Sequence, residues 1–333
     1  MVKFYYFKDE ELNNATMYYM DVIKQGIELA GGEVVYTNKL SDISHHDIVV
    51  TLSVIGFLEA YFKRPRKLLI WYQGIAPEEI LMFIKGNYLY RWLKSIVYSF
   101  GEWFSLKKSD YCFFISDSLV QHYRRKYGYN NDNYFIMPCF NEQIRPDAFT
   151  DKKYSQPTFL YTGSMDGWQC LPKIIALFKQ IKTIIPEATL TMFTGQEVKK
   201  ILREYEVDAF VTYVKHEELS EAIKDFKYGF LIREDIPINN VATPTKINSY
   251  MANGIIPIFT NVIGDFKEIL SPLHFSIPVD TNNNGLAKLY ELEKESITGR
   301  EVLEEYQTIF DKYYSSKYYI HSIAKLILAN NFL

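Results

Sequence analysis

The chain has 333 residues, longer than one compact core usually runs, so about two domains are expected. Hydrophobic residues make up 48% and charged residues 23%, ordinary globular values, with an aromatic excess in 27 Tyr and 23 Phe. A formal net charge of −3 excludes a nucleic-acid binder that relies on basic surface over the whole chain.

Three cysteines, Cys112, Cys139 and Cys170, are far apart and odd in number, which fits neither a disulfide framework nor paired zinc ligands and predicts a reducing cytoplasm. The N-terminal stretch MVKFYYFKDEEL lacks the apolar core of a signal peptide, and no run approaches the ~18 apolar residues of a membrane span. The expected protein is therefore cytoplasmic, soluble or attached to the inner face of a membrane.

In chain order, short β-rich runs alternate with helix-period runs, the pattern of parallel sheets with crossover helices. Strands are predicted over 2–7, 33–37, 47–52, 67–72, 110–116 and 134–138. Between the first two, Met17, Met20, Ile23, Ile27 and Ala30 recur at helical spacing. Residues 141–157, polar and holding Pro146 and Pro157, read as a linker. The alternation then restarts with strands over 158–164, 188–195, 209–214, 228–233, 255–260 and 275–279, and helices over 171–185, 196–205, 217–225 and 244–253. The expected fold class is α/β, with two Rossmann-like doubly wound domains facing an interdomain cleft. Residues 1–150 form the first domain and 151–299 the second, and 300–333 are C-terminal helices that pack back on the body. Sheets of this type bind ligands at their strand C-terminal ends.

Two segments stand out for chemistry. In VATPTKINSYMANG, Thr243 is placed to cap a helix, Pro244 suits the first helical position, and Gly254 stops it. The free N–H groups at that helix start, with Thr245 and Lys246 beside them, suit a phosphate; an ordinary capped helix with a solvated lysine is the plain alternative. Upstream, YGFLIREDIPINN ends a strand at Arg233, a bidentate anion partner, followed by Asn239 and Asn240. Arg233, Asn240 and Lys246 are expected to converge on one anion. The second segment, 81–108, mixes Trp92, Trp103, Tyr88, Phe100 and Phe104 with Lys85, Arg91, Lys94, Lys107 and Lys108. It lies within 60–126, where twelve Lys/Arg stand against five acids. It reads either as a helix on an anionic membrane surface or as a core helix with a solvated basic edge.

Taken in order, FLYTGSMDGWQCLPKIIALF, ATLTMFTG, VKHEELSEAI and VATPTKINSYMANGIIPIFTNVIGDFKEI resemble the C-terminal half of GT-B glycosyltransferases. The likeness is to family 4 and its relatives in bacterial surface-polysaccharide synthesis. LLIWYQGIAPEE, SDYCFFISDSLVQHYRRKYG and YFIMPCFN extend the likeness into the first half, so that it spans about residues 67 to 270. The resemblance implies transfer of a sugar from a nucleotide-sugar donor to a glycan or lipid-linked acceptor, with retention of anomeric configuration and no further cofactor. By the same likeness Gly163 and Ser164 lie near the donor diphosphate, Thr194, Gly195, Val214 and Lys215 border the base, and Thr243, Thr245 and Lys246 take the diphosphate. In the first domain Gln73, Gly74, Glu78 and Glu79 face the acceptor.

The sequence also departs from the pattern. Ser249 stands where the family's ribose-binding glutamate belongs, and the sugar-side glutamate position falls near Asn239 or Asn240. The Arg/Lys pair of the second domain's first helix region is reduced to Lys173, with Arg233 as its replacement. The usual glycine-rich loop is replaced by KDEELNNAT, in which Asn14 is placed to cap the following helix. A divergent subfamily, a changed donor and a catalytically silent sugar-nucleotide or glycan binding subunit all fit these changes. No D-x-D metal motif occurs, so no metal is expected, and the diphosphate leaving group must be stabilised by fixed donors such as Arg233, Lys246 and the helix start. No G-x-G-x-x-G dinucleotide fingerprint, phosphate-loop motif or H-E-x-x-H occurs either. A sugar-nucleotide epimerase on the same plan is a weaker third reading.

Overall fold

The computed structural model describes residues 1–6, 14–280 and 285–332. The chain divides into two compact units, residues 1–139, 241–243 and 315–333 in the first, 140–240 and 244–314 in the second. Residues 140–150, expected in the first domain, group with the second unit, because the Asn248 amide oxygen accepts the backbone N–H groups of Asn141 (3.0 Å) and Glu142 (2.8 Å). The expected C-terminal helical region is shared between the units.

In the first unit, the described elements before residue 140 are β1 (Val2–Tyr5), α1 (Asn14–Leu29), β2 (Val34–Thr37), β3 (Ile48–Thr51), α2 (Val54–Tyr61), β4 (Lys67–Tyr72), α3 (Ala76–Phe83), α4 (Tyr88–Lys108), β5 (Tyr111–Phe114), α5 (Asp117–Tyr127) and β6 (Tyr134–Ile136). The six strands pair in parallel in the order β2-β1-β3-β4-β5-β6. β4 and β5 read KLLIWY and YCFF, nearly unbroken apolar runs, since strands covered on both faces have no solvent side to keep polar. Ser116 caps α5 by accepting the Leu119 N–H at 3.0 Å, and Gly128 at φ 66 ends it.

The second unit runs α6 (Asp151–Tyr154), β7 (Thr158–Thr162), α7 (Leu171–Ile184), β8 (Thr189–Phe193), α8 (Val198–Tyr205), β9 (Phe210–Thr212), α9 (His216–Ile223), β10 (Tyr228–Leu231), α10 (Pro237–Val241), α11 (Thr245–Ala252), β11 (Ile256–Thr260), α12 (Gly264–Leu270), β12 (Ile277–Val279), α13 (Leu286–Lys294) and α14 (Gly299–Phe310). Its parallel sheet has the order β12-β11-β10-β7-β8-β9. From β7 the chain winds outward through β8 and β9, then returns to pair β10 against β7 and winds the other way. The winding reverses between β7 and β10, and the crevice at their carboxyl ends is where such sheets take ligands. A last helix, α15 (Ser316–Ala329), returns to the first unit and packs along α1. The approach is close: a Cβ on Gly26 would lie 2.7 Å from the Ile323 side chain.

All twelve expected strands form, each within its predicted range and mostly shorter by a residue or two. The helical run expected over 81–108 is instead two helices, broken where Gly86 takes φ 140 and Asn87 caps α4 by accepting the Tyr90 N–H at 2.8 Å. Residues 8–13 of the KDEELNNAT segment lie outside the described ones, and so does the side chain of Asn14, on which the expected cap falls.

Candidate functional site

In the second unit a cavity of about 560 Å³ opens at the carboxyl ends of β7 and β8 and the first turns of α11. At one end β7 gives way to Gly163, which has φ 136; a Cβ there would stand 3.0 Å from Lys246 Nζ and 3.2 Å from the Tyr161 hydroxyl. The backbone angle favours glycine, and a Cβ would also press on the Lys246 ammonium. Lys246, in the first turn of α11, lies over the Tyr161 ring at 4.3 Å and donates to Gln169 Oε1 at 3.1 Å. Arg233, just past β10 and only 6% exposed, donates through Nη1 to the same Gln169 oxygen at 2.7 Å and to the Trp168 carbonyl at 2.6 Å. The two expected cations therefore meet on a single acceptor. Burial pushes the Lys246 ammonium well below its ordinary pKa, and the Arg233 guanidinium pushes it further; burial also lowers Arg233 itself.

Farther along the cavity are Ser164, Thr194, Gly195, Val214, Thr245 and Ser249, with Phe193, Tyr213, His216 and Leu219 between them. Thr245 and Ser249, four residues apart, share one face of α11. The Thr194 hydroxyl is buried and has no hydrogen-bond partner among the described residues, and neither has the Asn141 side-chain oxygen that also lines this space. Buried polar atoms of this kind cost stability unless a ligand or water meets them. Asn141 falls in the stretch expected to be a linker, and no periodicity marks it or His216.

Four expectations differ from the structure. α11 starts one residue later than predicted, with Pro244 in the cap position and no side-chain cap. Thr243 groups with the first unit, its hydroxyl accepting the Cys139 N–H at 3.1 Å. Asn240 does not join Arg233 and Lys246, because its amide donates to the Val262 carbonyl (2.8 Å) and to Asp235 (2.9 Å). Lys215 is exposed at the start of α9 and lies outside the cavity lining. Asn239 is buried and donates to the Glu234 carbonyl at 2.9 Å.

The first unit has its own cavity, of about 350 Å³, at the carboxyl ends of β3 and β4. Gln73, Gly74 and Glu79 line it, and a Cβ at Gly74 would collide with the Glu79 carboxylate. Glu78 does not line it; its carboxylate binds Lys126 at 2.7 Å and His122 at 3.4 Å, and these contacts outweigh burial and lower its pKa. The cavity also holds an acid the sequence reading passed over, Glu102 of α4. It is 1% exposed and accepts from the Tyr127 hydroxyl at 2.7 Å and the Tyr123 hydroxyl at 3.2 Å. Burial raises its pKa to about 7 against the pull of Lys126 and Tyr127. Glu79 is raised in the same direction, also by burial. Trp71 Nε1, on the cavity lining, is buried without a partner among the described residues. The signal for Glu102 was its solitude, since it is the one acid between residues 80 and 109.

Among the described residues no group of three or more His, Cys, Asp or Glu is placed to hold a metal ion, and no helix is long and apolar enough to cross a membrane. No protein-family model matches the chain, and no curated protein matches it in sequence. Solved structures do match in fold. Anabaena HepE, in complex with UDP and glucose, superimposes with a TM-score of 0.67 at 9% identity over 99% of both chains. A glycosyltransferase from Rickettsia africae gives 0.59 at 12% identity, covering 99% of this chain and 97% of its own. Staphylococcus aureus TarM, as a variant in complex with fondaparinux, α-GlcNAc-glycerol and UDP, gives 0.64 at 11% identity, covering 87% of this chain. This chain spans only 56% of the TarM chain. At these identities the likeness is one of fold, and that fold is the GT-B architecture of two Rossmann-like units.

Proposed function

We propose that this chain, built on the fold of nucleotide-sugar glycosyltransferases, transfers a sugar from a nucleotide-sugar donor to a glycan or lipid-linked acceptor in bacterial surface-polysaccharide synthesis. The observation that carries the reading is the pairing of Arg233 and Lys246 on one acceptor atom beside the second-unit cavity. Two partly or wholly buried cations held this close repel each other, and a diphosphate placed between them would relieve that repulsion. The same contacts would hold the negative charge that develops as the sugar leaves, without a metal ion or other cofactor. Thr245 and Gly163 then border the diphosphate, Ser249 meets the ribose with a hydroxyl in place of a carboxylate, and Thr194 and Val214 border the base. Retention of configuration follows the resemblance to family 4.

The first-unit cavity is the acceptor side of the same proposal. Gln73, Glu79 and Glu102 offer acceptors for sugar hydroxyls, and Trp71 Nε1 offers a donor. A lipid-linked acceptor fits α4, whose apolar side faces outward. Leu89, Trp92, Leu93, Ile96, Val97 and Phe100 are exposed, while Ser95, Gly101, Glu102 and Ser105 are buried. Lys107 and Lys108 at the end of the helix are exposed as well, and the one acid of the helix points inward. Apolar and cationic groups together suit a membrane surface of anionic lipids, reached from the cytoplasmic face.

A panel of sugar nucleotides, with and without acceptors, tests the proposal. Consumption of one donor, accelerated by an acceptor, is the expected result. Tight binding without turnover under either condition would instead make the chain a silent binding subunit, and acceptor-free conversion of one donor into another would make it an epimerase.

A further inference from the structure

We propose that Gln169 is a built-in stand-in for the donor phosphate, its amide oxygen holding the position between Arg233 and Lys246 that a phosphoryl oxygen takes, so that Gln169 must leave for the donor to bind. This rests on the diphosphate reading of the site and adds its regulation. Three hydrogen bonds tie the loop to the cations: Arg233 to Gln169 Oε1 (2.7 Å), Arg233 to the Trp168 carbonyl (2.6 Å), and Lys246 to Gln169 Oε1 (3.1 Å). All the acceptors are neutral. They satisfy the donors' geometry without bringing a negative charge to either cation. An anion on the same donors makes the stronger, charge-assisted bonds.

The loop is built for exchange. Gln169 closes a single 3-10 turn, Gly167–Gln169, and the next residue, Cys170, sits in the left-handed region at φ 54, where a non-glycine residue is disfavoured. Gly167 is exposed, and a Cβ built there would meet nothing within 4 Å. The turn is thus held on its cation side by the three bonds above and has open space at Gly167. Withdrawal of the Gln169 side chain frees Lys246 and one of the two Arg233 bonds at once, leaving Arg233 on the Trp168 carbonyl.

If Gln169 is a competitor, removing its oxygen strengthens anion binding; if it merely packs the site, removal weakens it. Calorimetry of inorganic pyrophosphate binding to the full chain, at constant ionic strength, separates the two. Gln169→Met, which keeps the side-chain length without the acceptor, and Gln169→Ala should each lower the dissociation constant by about tenfold, the scale of one hydrogen bond to a charged group. Gln169→Glu, which tethers an anion in the site, should raise it by at least about tenfold on the same scale. Lys246→Ala is the control for the site itself. Weaker binding in Lys246→Ala with no gain in Gln169→Met or Gln169→Ala overturns the stand-in and leaves the phosphate reading intact. Equal binding, or none, in wild type and Lys246→Ala overturns both.

Discussion

At the scale of residues, the second-unit site depends on a few closely packed positions. Gly163 is one: at φ 136, with Lys246 Nζ 3.0 Å from where a Cβ would stand, even alanine must strain the backbone and displace the ammonium. Gly163→Ala should cost about 1–3 kcal/mol in a thermal melt and weaken pyrophosphate binding in the same preparation; unchanged affinity would show that Lys246 does not contact the ligand. Lys246→Ala should itself cost about 1.5–3 kcal/mol of binding, the range for a charged hydrogen bond, read by calorimetry of a nucleoside diphosphate. Gly163, Arg233 and Lys246 were legible because each stands at a strand end or helix start, and strand ends are easy to place. Gln169, Asn141 and Trp71 were not. What singles them out is a bond to a distant residue or the lack of one, and no local pattern encodes either.

At the scale of elements, α4 is the least ordinary part of the chain. Helix patterning normally turns apolar residues toward the core, yet Val97 is 64% exposed and Leu89 62%, while Ser105 and Glu102 are almost completely buried. The aromatic and basic composition of this stretch was visible in the sequence, but which face turns inward was not, because both faces carry residues able to pack. The inner face is polar because Ser105 bonds the Tyr72 hydroxyl (2.7 Å) and Glu102 bonds two tyrosines of α5. Replacing Leu93, Ile96 and Val97 together by glutamate should leave the thermal midpoint nearly unchanged, since these side chains are exposed. It should abolish sedimentation with vesicles rich in anionic lipid; equal bound fractions would leave this face to some other partner. Removing Lys94, Lys107 and Lys108 should weaken vesicle binding most at low salt, the difference from wild type shrinking as salt rises.

At the scale of the whole molecule, the two units carry opposite dependences on pH. Glu102, in the first, has its folded pKa raised by burial to about 7, so the folded state holds its proton more tightly than the unfolded chain does. The stability this contributes is full below the unfolded value and is lost as pH rises through about 7. Lys153, in the second, is buried with Nζ on the Asn253 and Ala148 carbonyls, and burial lowers it to about 7 despite Asp225. Its charged form penalises folding most below about 7, and that penalty fades as pH climbs toward the unfolded value. Thermal midpoints measured from pH 5 to 9 should show Glu102→Gln removing a decline on the acid side of neutrality and Lys153→Met removing a rise on the alkaline side. A profile unaltered by either substitution would mean that neither group titrates in that range. The two parallel sheets followed from the alternation of apolar runs; their strand order did not. The division of the chain between units did not, because the amide of Asn248 and the face of α15 decide it, and both act at long range along the sequence.

The first unit is not one stretch of chain: it needs residues 1–139, three residues near 242, and α15 at the far end. Tyr319, Ile323, Ala324, Ile327 and Phe332 are all buried there. During synthesis, every residue of the second unit is therefore joined to the chain before the piece that seals the first. The half that begins translation is thus the last to have all its residues, and until then the face of α1 that α15 covers lacks that helix.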